Sequence, residues 1–285
     1  MKKTHIAILA VLAHLGATQA APLLLDFGNT PATGQVTVNA TAAPNLGGPA
    51  GLTGNITYNV ISGTDSAVNT ATFPASYKYA DNSDATGVSV AIAVGTAWTN
   101  ISSETGEFVR QGFSGARSGL GVFATPASPN NTNLFSDFTS AANSNSSTDY
   151  IGVRIGGLAA GTYTVYALSN NTYLNVAGAN TRQIRAGTGA AGLTDYSGFA
   201  AATTLSYDYT NIAADTATWA AAEGKYWTSF TVNVTATNNT IYLGGFKSGD
   251  QQGGTFNSIM IIPEPGSLAL VGIALGSLLL FRRRK

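Results

Sequence analysis

The chain has 285 residues, with fourteen Lys or Arg against fourteen Asp or Glu, two histidines and no cysteine. No disulfide can staple it, so its fold has to rest on a hydrophobic core, for which the length is ample. Lys2, Lys3 and Arg282–Lys285 take six of the cations, leaving residues 21–262 with eight basic and thirteen acidic side chains. A body so poor in cations cannot neutralise a phosphate backbone, which excludes nucleic acid as a partner.

Residues 1–20 read as a signal peptide. Lys2 and Lys3 form a charged start, Ile6 to Leu15 an apolar stretch, and Thr18-Gln19-Ala20 a small-residue exit. Both histidines, His5 and His14, lie inside this leader. The exported body then contains neither histidine nor cysteine. That removes Ser-His-Asp and Cys-His catalysis and the usual zinc ligands. Carboxylate chemistry, lysine chemistry and oxygen-ligated calcium stay open.

From residue 21 onward, short runs of β-branched and aromatic residues alternate between Gly, Asn, Ser and Thr. Strands are predicted at Leu23–Phe27, Gln35–Val38, Asn55–Ile61, Gly87–Val94, Tyr150–Ile155 and Thr162–Leu168. Further strands are predicted at Thr181–Arg185, Thr203–Tyr209, Tyr226–Val234, Thr240–Gly244 and Thr255–Ile262. Phe230, Val232 and Val234 alternate with Thr231, Asn233 and Thr235, a pattern that buries one face and wets the other. The stretch Ile155–Gly161 leading into Thr162–Tyr166 predicts a hairpin. A helical turn is predicted near Ala217–Glu223, with Trp219 as its apolar anchor. Residues 125–148, rich in Ser and Asn, read as a long insertion or as a linker between two domains; the insertion is preferred.

Candidate chemistry in the body is sparse. Asp81-Asn82-Ser83-Asp84 offers oxygen ligands for calcium, and equally an ordinary Asx-rich turn. Glu104 and Glu107 form a potential carboxylate pair for glycoside hydrolysis, or are solvated surface residues. Trp98, Trp219 and Trp227 can stack on sugar rings. Trp219 and Trp227 suit a core, whereas Trp98 follows a strand among small polar residues and is expected on an exposed loop as the ligand-binding aromatic.

The first and last strand strings, Leu23-Leu-Leu-Asp-Phe-Gly28 and Phe256-Asn-Ser-Ile-Met-Ile-Ile262, bracket the body. Together with Gly157-Leu-x-x-Gly-Thr-Tyr-x-Val165, this arrangement resembles the galactose-binding-type jelly rolls. The resemblance implies an all-β fold, a single jelly-roll-like β-sandwich over residues 21–262, with its terminal strands side by side. In folds of that kind a calcium can sit near such strand ends, which makes Asp26 and Asn257 candidate metal ligands; no other cofactor is expected.

The C-terminus has three parts. Pro263-Glu264-Pro265 comes first, and its prolines are expected to stop the preceding strand and hold Glu264 extended and accessible. Leu268 to Phe281 follows without a charge, a helix of roughly 21 Å against an apolar bilayer core of about 30 Å. Arg282, Arg283, Arg284 and Lys285 close the chain and favour the cytoplasmic side. A span this short suits a transient hold. The order resembles the PEP-CTERM sorting signal of bacterial surface and extracellular proteins. The resemblance implies that an exosortase recognises residues 263–285 and removes the tail, and that the host produces exopolysaccharide. The expected protein is therefore exported, transiently anchored in the inner membrane as a transmembrane helix, and finally at the cell surface or outside the cell. It is expected to be non-catalytic, with exopolysaccharide as a candidate ligand. The alternative is a carboxylate-dependent polysaccharide-active enzyme.

Overall fold

A computed structural model describes residues 21–27, 34–61, 71–103, 109–110, 121–123, 135, 138–140, 150–169, 180–201, 204–207, 212–248 and 255–265. The N-terminal strands are β1 (Leu23–Phe27), β2 (Gly34–Asn39), β3 (Asn55–Ile61), β4 (Ser89–Ala97) and β5 (Asn100–Ser103). The middle of the chain gives β6 (Val109–Arg110), β7 (Phe138–Ser140), β8 (Tyr150–Gly156), β9 (Gly161–Leu168) and β10 (Asn180–Gly189). The rest supplies β11 (Ala200–Ala201), β12 (Leu205–Tyr207), β13 (Trp227–Val234), β14 (Thr240–Ser248), β15 (Thr255–Phe256) and β16 (Ser258–Pro263).

One sheet has the order β13-β9-β16-β1-β3-β2 and a second the order β11-β10-β14-β8-β4-β5, with β12 also on β10; β15-β7-β6 form a small third sheet. The two large sheets face each other as a β-sandwich. Leu25, Val165 and Ile259 from the first meet Val153, Ile184 and Leu243 from the second, all fully buried or nearly so. Alternation produces this face. In β13, Val232 and Val234 are buried while Thr231 and Asn233 are exposed. This core takes residues from both sides of 125–148. Within that segment, Phe135 is fully buried edge-on to Tyr58 and Trp219, and β7 pairs with β15.

β1 is buried at all five positions, because the outer face of its sheet carries a second core. Leu24, Tyr58 and Met260 point to that side and are covered by Leu46, Phe135 and Tyr226. Leu46 belongs to a 3-10 turn, Pro44–Gly47, and the Tyr58 hydroxyl donates to its carbonyl at 2.6 Å. Two helical turns, Ile212–Asp215 and Trp219–Ala222, stand on the same side of the molecule. The second has Thr218 as its N-cap, which accepts from the Ala221 N–H at 3.1 Å. Trp219 is its anchor, edge-on to Phe123, and its carbonyl accepts from the Trp227 indole at 2.7 Å.

The connection after Ile155 is not a hairpin. β8 pairs with β4 and β14 in the second sheet, whereas β9 pairs with β13 and β16 in the first. Residues 157–160 therefore cross from sheet to sheet, with Leu158 buried in the core. Both arrangements bury the same alternate residues, so alternation could not separate them. Gly157 has φ +79°, and a Cβ there would lie 1.9 Å from the Gly87 carbonyl oxygen. Several predicted strands also differ in their limits, as β4 and β10 do. Of the one predicted at Thr203–Tyr209 the described residues show Leu205–Tyr207 as strand, and the last is interrupted at Asn257 and runs on to Pro263.

The terminal strands lie side by side and antiparallel, with Leu23 opposite Ile261 and Asp26 opposite Ser258. β1 thus enters the sandwich at the end where β16 leaves it.

Candidate functional site

The start of the tripeptide Pro263-Glu264-Pro265 is built into the sandwich. Pro263 is the last residue of β16, opposite Tyr163 of β9, and it is buried. The strand ends on Pro263, as expected, but Glu264 is held to the sheet and half-buried, where an accessible side chain was expected. The Glu264 N–H donates to the Thr162 carbonyl at 2.9 Å. Its Oε1 accepts from the Thr164 hydroxyl at 2.8 Å, and the side chain is half-buried. Backbone groups along a strand alternate sides. Since Glu264 donates towards β9, the missing N–H of Pro263 falls on the opposite side, past the first residue of β1. The proline therefore costs no bond to β9, and pairing continues through it. Pro265 is the first exposed residue. Arg282, Arg283, Arg284 and the run Leu268–Phe281 lie outside the described residues, as do residues 1–20. Among the described residues no helix is long and apolar enough to cross a membrane.

Trp98 lies in the turn between β4 and β5, where sequence placed it, but it is half-buried rather than an open platform. It packs on the outer face of the second sheet, over Gly244, where an added Cβ would come within 2.5 Å of its ring. Its edge contacts Tyr150 with centroids 4.8 Å apart, and Tyr150 stacks on Phe246 at 4.3 Å. The Arg185 guanidinium lies 4.8 Å from the indole centroid and donates to the Ser197 carbonyl. Beside it, hydrogen bonds from Ser197 hold the Asp195 carboxyl below its ordinary range, and the Arg185 charge adds to this. The neighbouring Tyr196 is fully buried over Gly152 and Gly244. The patch thus combines half-exposed rings with one cation and exposed Gln183. It can offer ring faces and edges to a flat apolar surface and polar groups around them.

Asp26 and Asn257 are fully buried near the ends of the paired terminal strands. Asp26 Oδ1 accepts from the Phe135 N–H at 3.2 Å. The backbone of Asn257 joins two strands, donating to Leu168 and accepting from Phe27, each at 2.9 Å. Calcium takes six to eight oxygens. These two side chains, one of them already serving an N–H, fall short of that set. No group of three or more His, Cys, Asp or Glu that could hold a metal occurs among the described residues. Burial, and after it the Asp26 charge, holds the Tyr58 hydroxyl well above its ordinary pKa.

Asp81–Asp84 is the ordinary turn. Asp81 Oδ1 accepts from the Ser83 N–H at 3.0 Å and from its hydroxyl, which holds the Asp81 carboxyl low. Asn82 takes φ +68° and Asp84 pairs with Lys78. Glu104 and Glu107 lie outside the described residues. Trp219 and Trp227 belong to the second core, as expected.

Sequence reasoning missed Thr162, Thr164 and Arg185. Nothing in the local pattern marks the two threonines, whose partners are about a hundred residues away. The aromatic patch did leave a signal. Gly152, Gly187 and Gly244 occupy outward positions of neighbouring strands, where a glycine marks the close approach of another group.

No family model, curated protein or solved structure matches the chain.

Proposed function

We propose that this is an exported, non-catalytic protein of the cell surface or extracellular matrix, sorted by an exosortase acting at Pro263-Glu264-Pro265. The observation that carries the reading is the uninterrupted order of tripeptide, uncharged run and terminal cations. The tripeptide begins on the last residue of β16, so a cut beyond it leaves that strand whole in the sandwich. A leader before β1 and a span after β16 would hold the body to a membrane by one end, since those strands enter and leave together.

The body reads as a jelly roll. Support comes from the longer strands of the second half of the chain: β8, β9, β10, β13, β14 and β16 lie in alternate sheets, with the short β11, β12 and β15 between them. Polysaccharide is the proposed ligand, at the patch of Trp98, Tyr150, Phe246 and Arg185. Aromatic faces and a few polar partners are what sugar binding requires.

The test is isolation of the protein from an exosortase-bearing host and its comparison with a Pro263→Ala/Pro265→Ala variant. The wild type should lose its tail and leave the inner membrane, while the variant stays uncut and membrane-bound. Equal processing of both would remove the tripeptide as the recognition element. For the ligand, the mature protein should be retained on the host's polysaccharide, and retention should weaken in Trp98→Ala. Release of reducing ends would favour the carboxylate enzyme instead.

A further inference from the structure

The sorting reading, on which this inference rests, treats residues 263–285 as a self-contained signal, yet the fold ties Glu264 to a residue outside it. We infer that Thr164 is a positioning residue of the processing site, which latches Glu264 to the sandwich and so limits how fast the tail is removed.

Three observations converge. The Thr164 hydroxyl donates to Glu264 Oε1 at 2.8 Å, and the Thr162 carbonyl accepts from the Glu264 N–H at 2.9 Å. Pro263 is buried in register with Tyr163. β16 is also a central strand, held by β9 on one side and β1 on the other.

An enzyme that binds its substrate as an extended segment needs the segment's backbone groups and side chains free. The Glu264 N–H and carboxylate cannot serve the sheet and the enzyme together. Lifting the strand further back would break ladders on both sides, so release has to be a local fraying that starts at Glu264. Only the frayed fraction is competent, and the apparent affinity for the enzyme falls by that fraction. Thr164 sets the fraction through one side-chain hydrogen bond.

Thr164→Val keeps a β-branched side chain in β9 and removes the donor. Losing one such bond should raise the frayed fraction roughly 3- to 10-fold. The experiment follows tail removal by pulse-chase in the host, using the full chain as wild type, Thr164→Val and Thr164→Ser. Valine should speed removal by about that factor, and serine, which restores the hydroxyl, should return it close to wild type. A valine chain cut no faster than wild type overturns the latch. The Pro263→Ala/Pro265→Ala chain serves as the control for the sorting reading. If it is cut like wild type, or if wild type is not cut at all, that reading fails. The latch is then decided by amide hydrogen exchange at Glu264 in the detergent-solubilised full chain. Exchange there should be faster in Thr164→Val by a similar factor, and equal exchange overturns it.

Discussion

Single side chains decide more here than residue type suggests. Gly157 supports the crossover between sheets with a left-handed backbone and no room for a Cβ. Gly157→Ala should therefore cost about 1–3 kcal/mol of stability, read from the denaturant midpoint. A midpoint equal to wild type would mean that the crossover has slack. Tyr58 is a second case. Its hydroxyl is buried, and it holds the Leu46 carbonyl and with it the turn Pro44–Gly47. Tyr58→Phe leaves that carbonyl without the hydroxyl and should cost about 1–3 kcal/mol in the same assay. Trp98 shows what a single sequence can and cannot say about a residue. Its place in a turn was legible from Thr96, Ala97, Thr99 and Asn100 around it. Its partial burial was not, because the ring rests on Gly244 and faces Arg185, both far along the chain.

Strands were legible wherever alternation was strong, and their partners were not. Asn55–Ile61 was predicted with its observed limits, and the clear alternation of β13 identified its buried face. The short strands β5, β6 and β7 carry too few residues to show a period. The supposed hairpin after Ile155 failed for a different reason, since a turn and a crossover bury the same side chains. Pairing of the terminal strands was expected from resemblance and is present. The second core was not foreseen, because it depends on loops and helical turns folding over the first sheet. It makes an element-level prediction. Phe123 is fully buried in that layer, edge-on to Trp219 and Tyr226. Phe123→Ala should cost about 3–5 kcal/mol, a core-sized loss although the residue lies outside the space between the sheets. A loss under about 1 kcal/mol would mean that the outer layer is dispensable to the sandwich.

For the whole molecule, burial of tyrosines sets the alkaline limit. Burial pushes the Tyr77 hydroxyl up to about 12, and Tyr58 and Tyr163 are also raised, in each case chiefly by burial. A raised folded value stabilises the protein fully below the unfolded pKa of about 10, and this contribution is lost as pH rises through the folded value. Stability should accordingly fall between about pH 10 and 12, with the phenolates of these three buried tyrosines appearing together with loss of structure. Phenolate formation complete near pH 10 in the folded state would contradict the burial of these rings. On the same scale, entry and exit of the chain at one end of the sandwich give the sorting proposal its geometry. The most direct measurement is the intact mass of the protein recovered from outside the cells of an exosortase-bearing host. The expected mass lacks residues 1–20 and the tail beyond the tripeptide, including Arg282–Lys285. A secreted or surface-bound protein that still carries those four cations would contradict it.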